Sequence, residues 1–217
     1  MTKLYKITNS EDQTRNMCQW GEGVTVKTSG IGGMCGKGFT HWYTDPRLAV
    51  IFNPIHGNFN LETAHLWEGE GEIIETDGLK VGCIEATTIR RIDFPVITLE
   101  QKIKFAILCA LEVYKEEKFI RWAHNWLDNV DRTEATAWLV AKEGWTARAA
   151  AEVAARAAGV AAEAAAWAAE AAAGAVWATV KVAETAEEAA AWAAAAAWAV
   201  KNIDFVKIID TILRKEI

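Results

Sequence analysis

The chain has 217 residues, a net charge of −6 and a sequence pI near 5.3. A net negative charge disfavours a nucleic-acid backbone as the main ligand, because that backbone is bound largely by lysine and arginine. The acidic residues are not gathered in dense runs, so mimicry of nucleic acid is also disfavoured. The length suffices for one large domain or two small ones.

The first 95 residues are predicted to form a small β-rich domain, because short alternating stretches are separated by polar turns. The predicted elements, in chain order, are strands at residues 4–8, 23–28 and 38–43, a helix from residue 46 to 52, and a hairpin of strands 64–75 and 79–92 around a turn at residues 77–78. Thr44 or Asp45 caps the helix, which we expect to stop before Asn53-Pro54. Glycine-rich residues 29–38 match no phosphate-loop pattern and are interpreted as a flexible loop near a ligand cleft.

Residues 96–217 are predicted to form a helical region, which makes the fold class α+β. The predicted helices cover residues 98–114, 115–127, 133–142 and 147–200, followed by an amphipathic helix at residues 203–213. Thr98 and Gln101 have the spacing of a capping box at the first of these helices. Gly144 is expected to interrupt the helices before residue 147. On the last helix, one apolar face is predicted to contain Ile203, Val206, Ile209 and Leu213.

The stretch from residue 147 to 200 contains 31 alanines, four tryptophans and no proline. Alanine is the strongest helix former, and its small side chain lets helices approach closely. We therefore predict a bundle or coiled-coil-like assembly in which tryptophans fill the gaps between thin helices, and we expect it to mediate homo-oligomer formation. A break is expected near residues 183–185, where Thr185 begins a capping-box pattern. Gly159 and Gly174 are either further breaks or close-contact points, and the pattern allows one helix or several.

Charged side chains recur throughout this alanine-rich stretch, so it offers no run of about 20 uncharged apolar residues for a membrane span. The first ten residues contain no apolar signal region. The four cysteines show no CxxC pairing, which is typical of a protein with reduced thiols. These features predict a cytoplasmic protein without a membrane partner.

The order of motifs resembles a group of phage and prophage proteins of unknown function, in which a β-rich domain precedes a repetitive or alanine/tryptophan-rich tail. The shared motifs are Leu4-Tyr-Lys, Gly38-Phe followed by an aromatic strand and an Asp-Pro helix start, Trp67-Glu-Gly-Glu-Gly-Glu72, and a strand ending near Arg90-Arg91-Ile92. The resemblance covers nearly the whole chain. It implies a viral origin and a place of action in the host bacterial cytoplasm.

A narrower segment, residues 36–49, is similar to a strand and helix that border the NAD cleft in some ADP-ribosyltransferase-fold proteins. Those enzymes carry a His or Arg on the first strand, whereas residues 4–8 here contain neither. Glu72 or Glu85 is the available late acid, although neither stands in a recognisable motif. The resemblance therefore implies a cleft for a nucleotide or an ADP-ribose derivative, with the chemistry absent.

Arginines and aromatic residues of the first domain form the predicted ligand site. Arginine recognises phosphate in a planar, bidentate manner, and an aromatic ring can stack on a base. We predict that Arg47, Arg90 and Arg91 hold a phosphorylated ligand while Trp42 or Tyr43 stacks on it. The alternative is that these arginines are solvated charges with occasional glutamate partners.

Other chemistry-bearing residues have simpler interpretations. A zinc site of His41, His56, His65 and Cys35 is disfavoured, because the spacings fit no standard ligand pattern. Cys18, Cys83 and Cys109 have apolar neighbours and are interpreted as buried small residues, and His124 as a packing residue. No metal, cofactor or catalytic residue is assigned.

These observations favour a non-enzymatic phage protein that counters host defence, most concretely by sequestering a nucleotide immune signal. Two alternatives stay open. One is an ADP-ribosyltransferase-like enzyme that modifies a host protein and uses Glu72 or Glu85. The other is an inhibitor that binds a host defence protein directly through its tryptophan-bearing helices.

Overall fold

The structure is a computed structural model, and it describes the backbone of residues 1–158, 160–180, 183–200 and 203–214. Side chains are described over the same ranges except at residues 145, 149–158, 160–165, 183, 184 and 200. The chain divides into two compact units, Met1–Ile97 and Thr98–Ile217. Strands lie in the first unit and most helices in the second, so the predicted α+β class is confirmed.

Short antiparallel strands, a 3-10 turn at Arg15–Met17 and one α-helix build the first unit. The strands are β1 (Thr2–Thr8), β2 (Gln13–Thr14), β3 (Cys18–Gln19), β4 (Thr25–Lys27), β5 (Thr40–Trp42), β6 (His65–Gly71), β7 (Glu75–Thr76), β8 (Val81–Cys83) and β9 (Glu85–Ile92). Helix α1 spans Pro46–His56. The strand predicted at residues 23–28 is shorter than expected, and the β2–β3 pair was not predicted, because two-residue strands are too short to show an alternating pattern.

A four-stranded sheet with the order β1-β6-β9-β4 is the framework of this unit. In its register Lys6 lies opposite Trp67, and Trp67 lies opposite Arg91. A smaller sheet has the order β5-β8-β7 and is linked to β1 by backbone hydrogen bonds between Tyr5 and Tyr43.

Apolar clusters cover both faces of the four-stranded sheet, because successive side chains of a strand alternate between faces. Leu4 of β1 belongs to the first cluster, with Trp20, Trp42, Val81, Cys83 and Ala86. Ile7 of the same strand belongs to the second, with Ala49 of α1, Ala64 and Leu66. The sheet is therefore buried on one side by the smaller sheet and on the other by α1.

The predicted hairpin of strands 64–75 and 79–92 is only partly present. The turn at Asp77-Gly78 does join two antiparallel strands, but these are the short β7 and β8. The stretch 79–92 divides at Ile84 into β8 and β9, which belong to different sheets, and β6 pairs with β9. Alternation is the same in one long strand as in two short ones, so the sequence does not show where the chain crosses between sheets.

Helix α1 begins as predicted, since the carboxylate of Asp45 accepts a hydrogen bond from the backbone N–H of Arg47 and Pro46 is the first helical residue. The expected end before Asn53-Pro54 is wrong, because the helix continues to His56. The side chain of Asn53 accepts from the N–H of Phe59 and donates to its carbonyl oxygen, which holds the segment after the helix against its last turn. These tertiary bonds outweigh the cost of the missing N–H of Pro54.

Helices make up the second unit over its described residues. They are α2 (Leu99–Val113), α3 (Glu117–Leu127), α4 (Glu134–Ala158), α5 (Val160–Val180), α6 (Ala183–Val200) and α7 (Phe205–Arg214). The capping box of Thr98 and Gln101 is present at α2, as predicted. Over the described residues, no helix combines the length and apolar character needed to cross a membrane.

The alanine-rich stretch contributes to three helices rather than one. Helices α4 and α5 are antiparallel, since Trp138 contacts Trp177 while Arg148, further along α4, pairs with the earlier Glu170 of α5 at 3.2 Å. Residues 183–185, where a break was expected, lie inside α6 (Ala183–Val200), and residues 181 and 182 are outside the described residues. Thr185 is therefore a helical residue and not an N-cap.

Two glycines are close-contact points inside helices. A methyl group added at Gly144 of α4 would lie 3.3 Å from the Cβ of Ala173 in α5. At Gly174 of α5 the same addition would lie 3.1 Å from the Cβ of Ala193 in α6. The predicted interruption at Gly144 is therefore wrong, and Gly159 lies outside the described residues.

Alanines form the contacts between these helices. The fully buried ones include Ala171, Ala172 and Ala175 of α5 and Ala191, Ala194 and Ala197 of α6. The expectation that tryptophans fill the gaps is wrong for Trp167 and Trp192, which are 40% and 55% exposed. Trp177 of α5 does lie between helices, since its ring packs edge-on against Trp138 of α4 with centroids 4.8 Å apart.

Aromatic and charged contacts fix the outer helices of this unit. Phe105 of α2 packs against Phe205 of α7, with ring centroids 5.6 Å apart. Lys102 of α2 is buried and forms a 2.7 Å ion pair with Glu187 of α6. The buried residues of α7 are Phe205, Ile209 and Ile212, so the apolar face predicted through Val206 and Leu213 is rotated.

Candidate functional site

Trp42, the ring predicted to stack on a ligand, is fully buried in the first apolar cluster. Its Nε1 donates a 2.9 Å hydrogen bond to Oγ1 of Thr40, which is itself buried. Trp20 packs edge-on against the same ring at 5.2 Å. Trp42 therefore acts as a core residue, and this placement argues against the stacking role.

The three predicted arginines are held by three different carboxylates. Arg47 makes a bidentate pair with Asp45, at 2.9 Å from Nε and 2.6 Å from a terminal nitrogen. Arg90 makes a bidentate pair with Glu68, with both contacts at 3.2 Å. Arg91 donates instead to Asp12. The contacts do not bring the three guanidinium groups together.

Asp12 organises the best-defined group of polar side chains in the first unit, which we call the Asp12 cluster: Asp12, His65, Trp67 and Arg91. One carboxylate oxygen, Oδ1, lies 2.7 Å from Nδ1 of His65 and accepts a 3.1 Å hydrogen bond from Nε1 of Trp67. The other oxygen, Oδ2, accepts from Arg91. Three side chains, two from β6 and one from β9, thus meet at a single carboxylate.

Turn geometry and strand register place this cluster. Asp12 has a φ of 61°, in the left-handed region that aspartate enters more readily than most residues. The side chain of Asn9 accepts from the N–H groups of Glu11 and Gln13, which closes the turn after β1. In β6, His65 and Trp67 are two residues apart and therefore share a face of the sheet.

Asp12 is ionised at neutral pH. Partial burial opposes its ionisation, but hydrogen bonds from His65, Arg91 and Trp67 and the charge of Arg91 outweigh that effect and lower its pKa below the ordinary value. An ionised carboxylate only accepts hydrogen bonds, so Nδ1 of His65 carries a proton. The other ring nitrogen of His65, Nε2, has no hydrogen bond among the described residues.

Arg91 is the accessible cation of the cluster. Its side chain is 50% exposed, and its guanidinium carbon lies 5.2 Å from the centroid of the Trp67 ring. Only one terminal nitrogen bonds Asp12, and a guanidinium has five N–H donors. The cluster therefore offers a planar cation and an oriented imidazole held by one carboxylate.

Tyr43, the other aromatic residue predicted at the site, is engaged elsewhere. Its hydroxyl lies 2.6 Å from Nδ1 of His56, within hydrogen-bond distance, and the two rings stack. Burial raises the pKa of Tyr43 far above its usual value, so the hydroxyl stays protonated. Desolvation, followed by the charge of Lys80, lowers the pKa of His56 to about 4 and keeps it neutral.

The histidines considered for a zinc site do not converge. His56 binds Tyr43, His65 binds Asp12, and Nε2 of His41 lies 2.5 Å from the carbonyl oxygen of Met34. No group of three or more metal-ligating side chains is arranged to hold an ion in the described part of the chain.

Lys6 is a buried cation beneath the sheet. Its Nζ donates a 2.5 Å hydrogen bond to the carbonyl oxygen of His41 and lies 4.6 Å and 4.7 Å from the ring centroids of Trp20 and Trp42. Burial lowers its pKa to about 8. The same burial raises the pKa of the nearby Cys83 thiol to about 11, so this cysteine stays protonated. These groups are buried and do not form an accessible site.

No protein-family model matches this chain, and neither curated proteins nor solved structures show significant similarity to it. The Asp12 cluster is therefore chosen as the candidate site from its geometry alone. Of its members, sequence reasoning identified Arg91 and missed Asp12 and Trp67. It considered His65 only as a metal ligand. Asp12 and His65 are 53 positions apart, and no local pattern signals a contact over that separation.

Proposed function

We propose that this chain is a non-enzymatic binding protein that sequesters a phosphorylated small molecule. In the setting that the sequence resemblance implies, the protein is encoded by a phage, acts in the host cytoplasm and counters defence by holding a nucleotide immune signal. The observation that carries the proposal is that Asp12 holds Arg91 and His65 on the two oxygens of one carboxylate.

The chemistry of this pair suits a phosphate group. The free N–H donors of Arg91 match phosphate oxygens in a planar arrangement, as lysine does not. The ionised Asp12 fixes the orientation of the His65 imidazole through Nδ1, as a carboxylate does for a histidine in many sites. A cation–π contact with the face of the Trp67 ring helps to hold the Arg91 guanidinium in place.

The state of Asp12 favours binding over acid–base catalysis. Its carboxylate accepts from three donors and has a lowered pKa, so its role is to orient neighbouring side chains rather than to exchange a proton. For the transferase alternative, Glu85 pairs with Lys27 at 3.0 Å, and both side chains are more than half exposed. That arrangement does not resemble a shielded catalytic acid. Self-association through the helical unit belongs to the same proposal.

A depletion-and-release experiment tests the proposal. The protein is incubated with nucleotide extracts from defence-activated bacteria, the filtrate is assayed for the signal, and the protein is then denatured by heat. We expect the signal to vanish and to return intact. A signal that vanishes without returning indicates an enzyme, and a signal that never falls overturns nucleotide sequestration.

Two neighbouring arginines provide a matched pair of variants. Arg91→Gln removes the cation of the Asp12 cluster, and we expect it to reduce signal retention at least tenfold. Arg90→Gln removes a similarly exposed guanidinium that bonds Glu68 instead, and we expect wild-type retention. Equal losses in both variants would place the ligand elsewhere.

A further inference from the structure

Helix α4 carries a second apolar stripe in addition to the one that packs in the unit. Its residues Ala137, Ala141 and Gly144 are buried, and Gly144 lies against Ala173 of α5. Another set, Ala135, Trp138, Leu139 and Lys142, lines a shallow surface depression of about 460 Å³. Trp138 packs edge-on against Trp177 of α5 and donates a 3.0 Å hydrogen bond to Glu134, yet 41% of it stays exposed. Leu139 is 67% exposed.

The spacing of this stripe is that of a helix-docking surface. Ala135, Trp138, Leu139 and Lys142 occupy positions i, i+3, i+4 and i+7, which form one face of a helix. Such a face is suited to packing against another helix. Without a partner, most of the Leu139 side chain stays in contact with water, and burial of this side chain against another helix would be favourable.

Charge at the two ends of the stripe identifies the partner. Glu134 lies at its N-terminal end and Lys142 at its C-terminal end, two helical turns later. When two copies of α4 are placed antiparallel about a two-fold axis near residues 138 and 139, Trp138 of each copy meets Leu139 of the other. Lys142 of each copy then lies at the end where the other carries Glu134. A surface that complements itself in this way is the signature of an isologous contact.

We propose that the Ala135–Trp138–Leu139–Lys142 face of α4 binds the same face of a second copy of this chain. The inference gives a surface to the self-association that forms part of the proposed function, and it needs no ligand. Standard stable interfaces bury about 800 Å² per partner. Four side chains on one helix cover less than that, so the dimer forms weakly and depends on protein concentration.

Sedimentation equilibrium of the full chain over a range of concentrations tests this contact. We expect a monomer–dimer equilibrium that Leu139→Lys weakens at least tenfold, since it places a charge at the centre of the contact. Trp192→Lys is the matched control, because Trp192 is 55% exposed on α6, and we expect it to leave the equilibrium unchanged. A chain that is monomeric at all concentrations, or an association lost equally in both variants, overturns the proposal.

Charge reversal distinguishes the antiparallel two-fold arrangement from any other. Glu134→Lys and Lys142→Glu each place like charges together twice per dimer, and we expect each to weaken association three- to tenfold. The double variant restores opposite charges across the two-fold axis, and we expect association near the wild-type level. Additive weakening in the double variant overturns the arrangement. Circular dichroism of each variant shows whether the helices stay folded. If the wild-type chain dimerises as expected but does not retain the signal, only the proposed ligand site is rejected, and the dimer contact stands.

Discussion

Arg90 and Arg91 are neighbours in β9, yet they bond carboxylates on opposite faces of the same sheet. Arg90 forms an ion pair with Glu68, and Glu68 also forms a 3.2 Å ion pair with Lys3. Arg91 reaches Asp12 in the turn after β1. Because adjacent side chains of a strand point to opposite faces, two arginines in sequence cannot grip one small ligand from this strand. Arg91 alone joins the cluster that we assign as the site.

Asp12→Asn should weaken the first unit and disorganise the site. The variant removes the charge that three donors share, and hydrogen bonds to charged groups contribute about 1.5–3 kcal/mol each. We expect a loss of about 2 kcal/mol in the free energy of unfolding at pH 7, measured by urea denaturation. Asp93→Asn is the control, since Asp93 is exposed, and it should change stability by less than about 0.5 kcal/mol.

The same variant has a predicted pH signature. The pKa of Asp12 is lower in the folded chain than in the unfolded chain. Its contribution to stability is therefore fully present above the ordinary aspartate pKa and is lost as the pH falls from that value through the lower folded-state pKa. The stability difference between wild type and Asp12→Asn should shrink on acidification. A difference that stays constant down to pH 3 would show that the carboxylate is not specially stabilised.

Lys6→Met should change how stability depends on alkaline pH. Burial lowers the folded-state pKa of Lys6 from 10.5 to about 8, so below pH 8 the folded chain bears the cost of a buried charge. Between pH 8 and 10.5 the unfolded chain binds more protons at this residue, and wild-type stability therefore rises with pH. The rise corresponds to about 3 kcal/mol, because one pKa unit equals about 1.36 kcal/mol.

The methionine variant lacks this rise. The stability of Lys6→Met relative to wild type should fall by about 3 kcal/mol between pH 7 and pH 10.5. Lys27→Met serves as the control, because the Lys27 side chain is 71% exposed. Parallel stability curves for wild type and Lys6→Met would contradict the buried position of the ammonium group.

Gly174→Val should destabilise the helical unit by overpacking. Even a methyl group at this position would lie 3.1 Å from the Cβ of Ala193. The branched side chain forces α5 and α6 apart, at a cost of about 1–3 kcal/mol. Thermal unfolding followed by circular dichroism measures the effect. Ala199→Val on the exposed side of α6 is the control, and an equal loss in both variants would indicate only the lower helix propensity of valine.

Local sequence determined the secondary-structure classes and several helix ends. The capping box at Thr98 and the N-cap at Asp45 are correct because each depends on residues within one helical turn. The absence of proline and the helix propensity of alanine were sufficient to predict helices after residue 147. Helix propensity does not report contacts between helices, so it did not show that Gly144 packs inside α4 against Ala173 or that Trp167 and Trp192 are exposed.

Only the tertiary structure shows which side chains come together in the Asp12 cluster. Trp42 and Arg91 were equally reasonable ligand contacts as residue types, but burial removes Trp42 from solvent and strand register aims Arg91 at Asp12. The contact between Asp12 and His65 spans 53 positions, and it forms because the turn after β1 returns to the start of β6. Residue type and spacing act within a few residues, whereas register and burial depend on how distant segments pair. That difference is the physical reason why the helices were predictable and the Asp12 cluster was not.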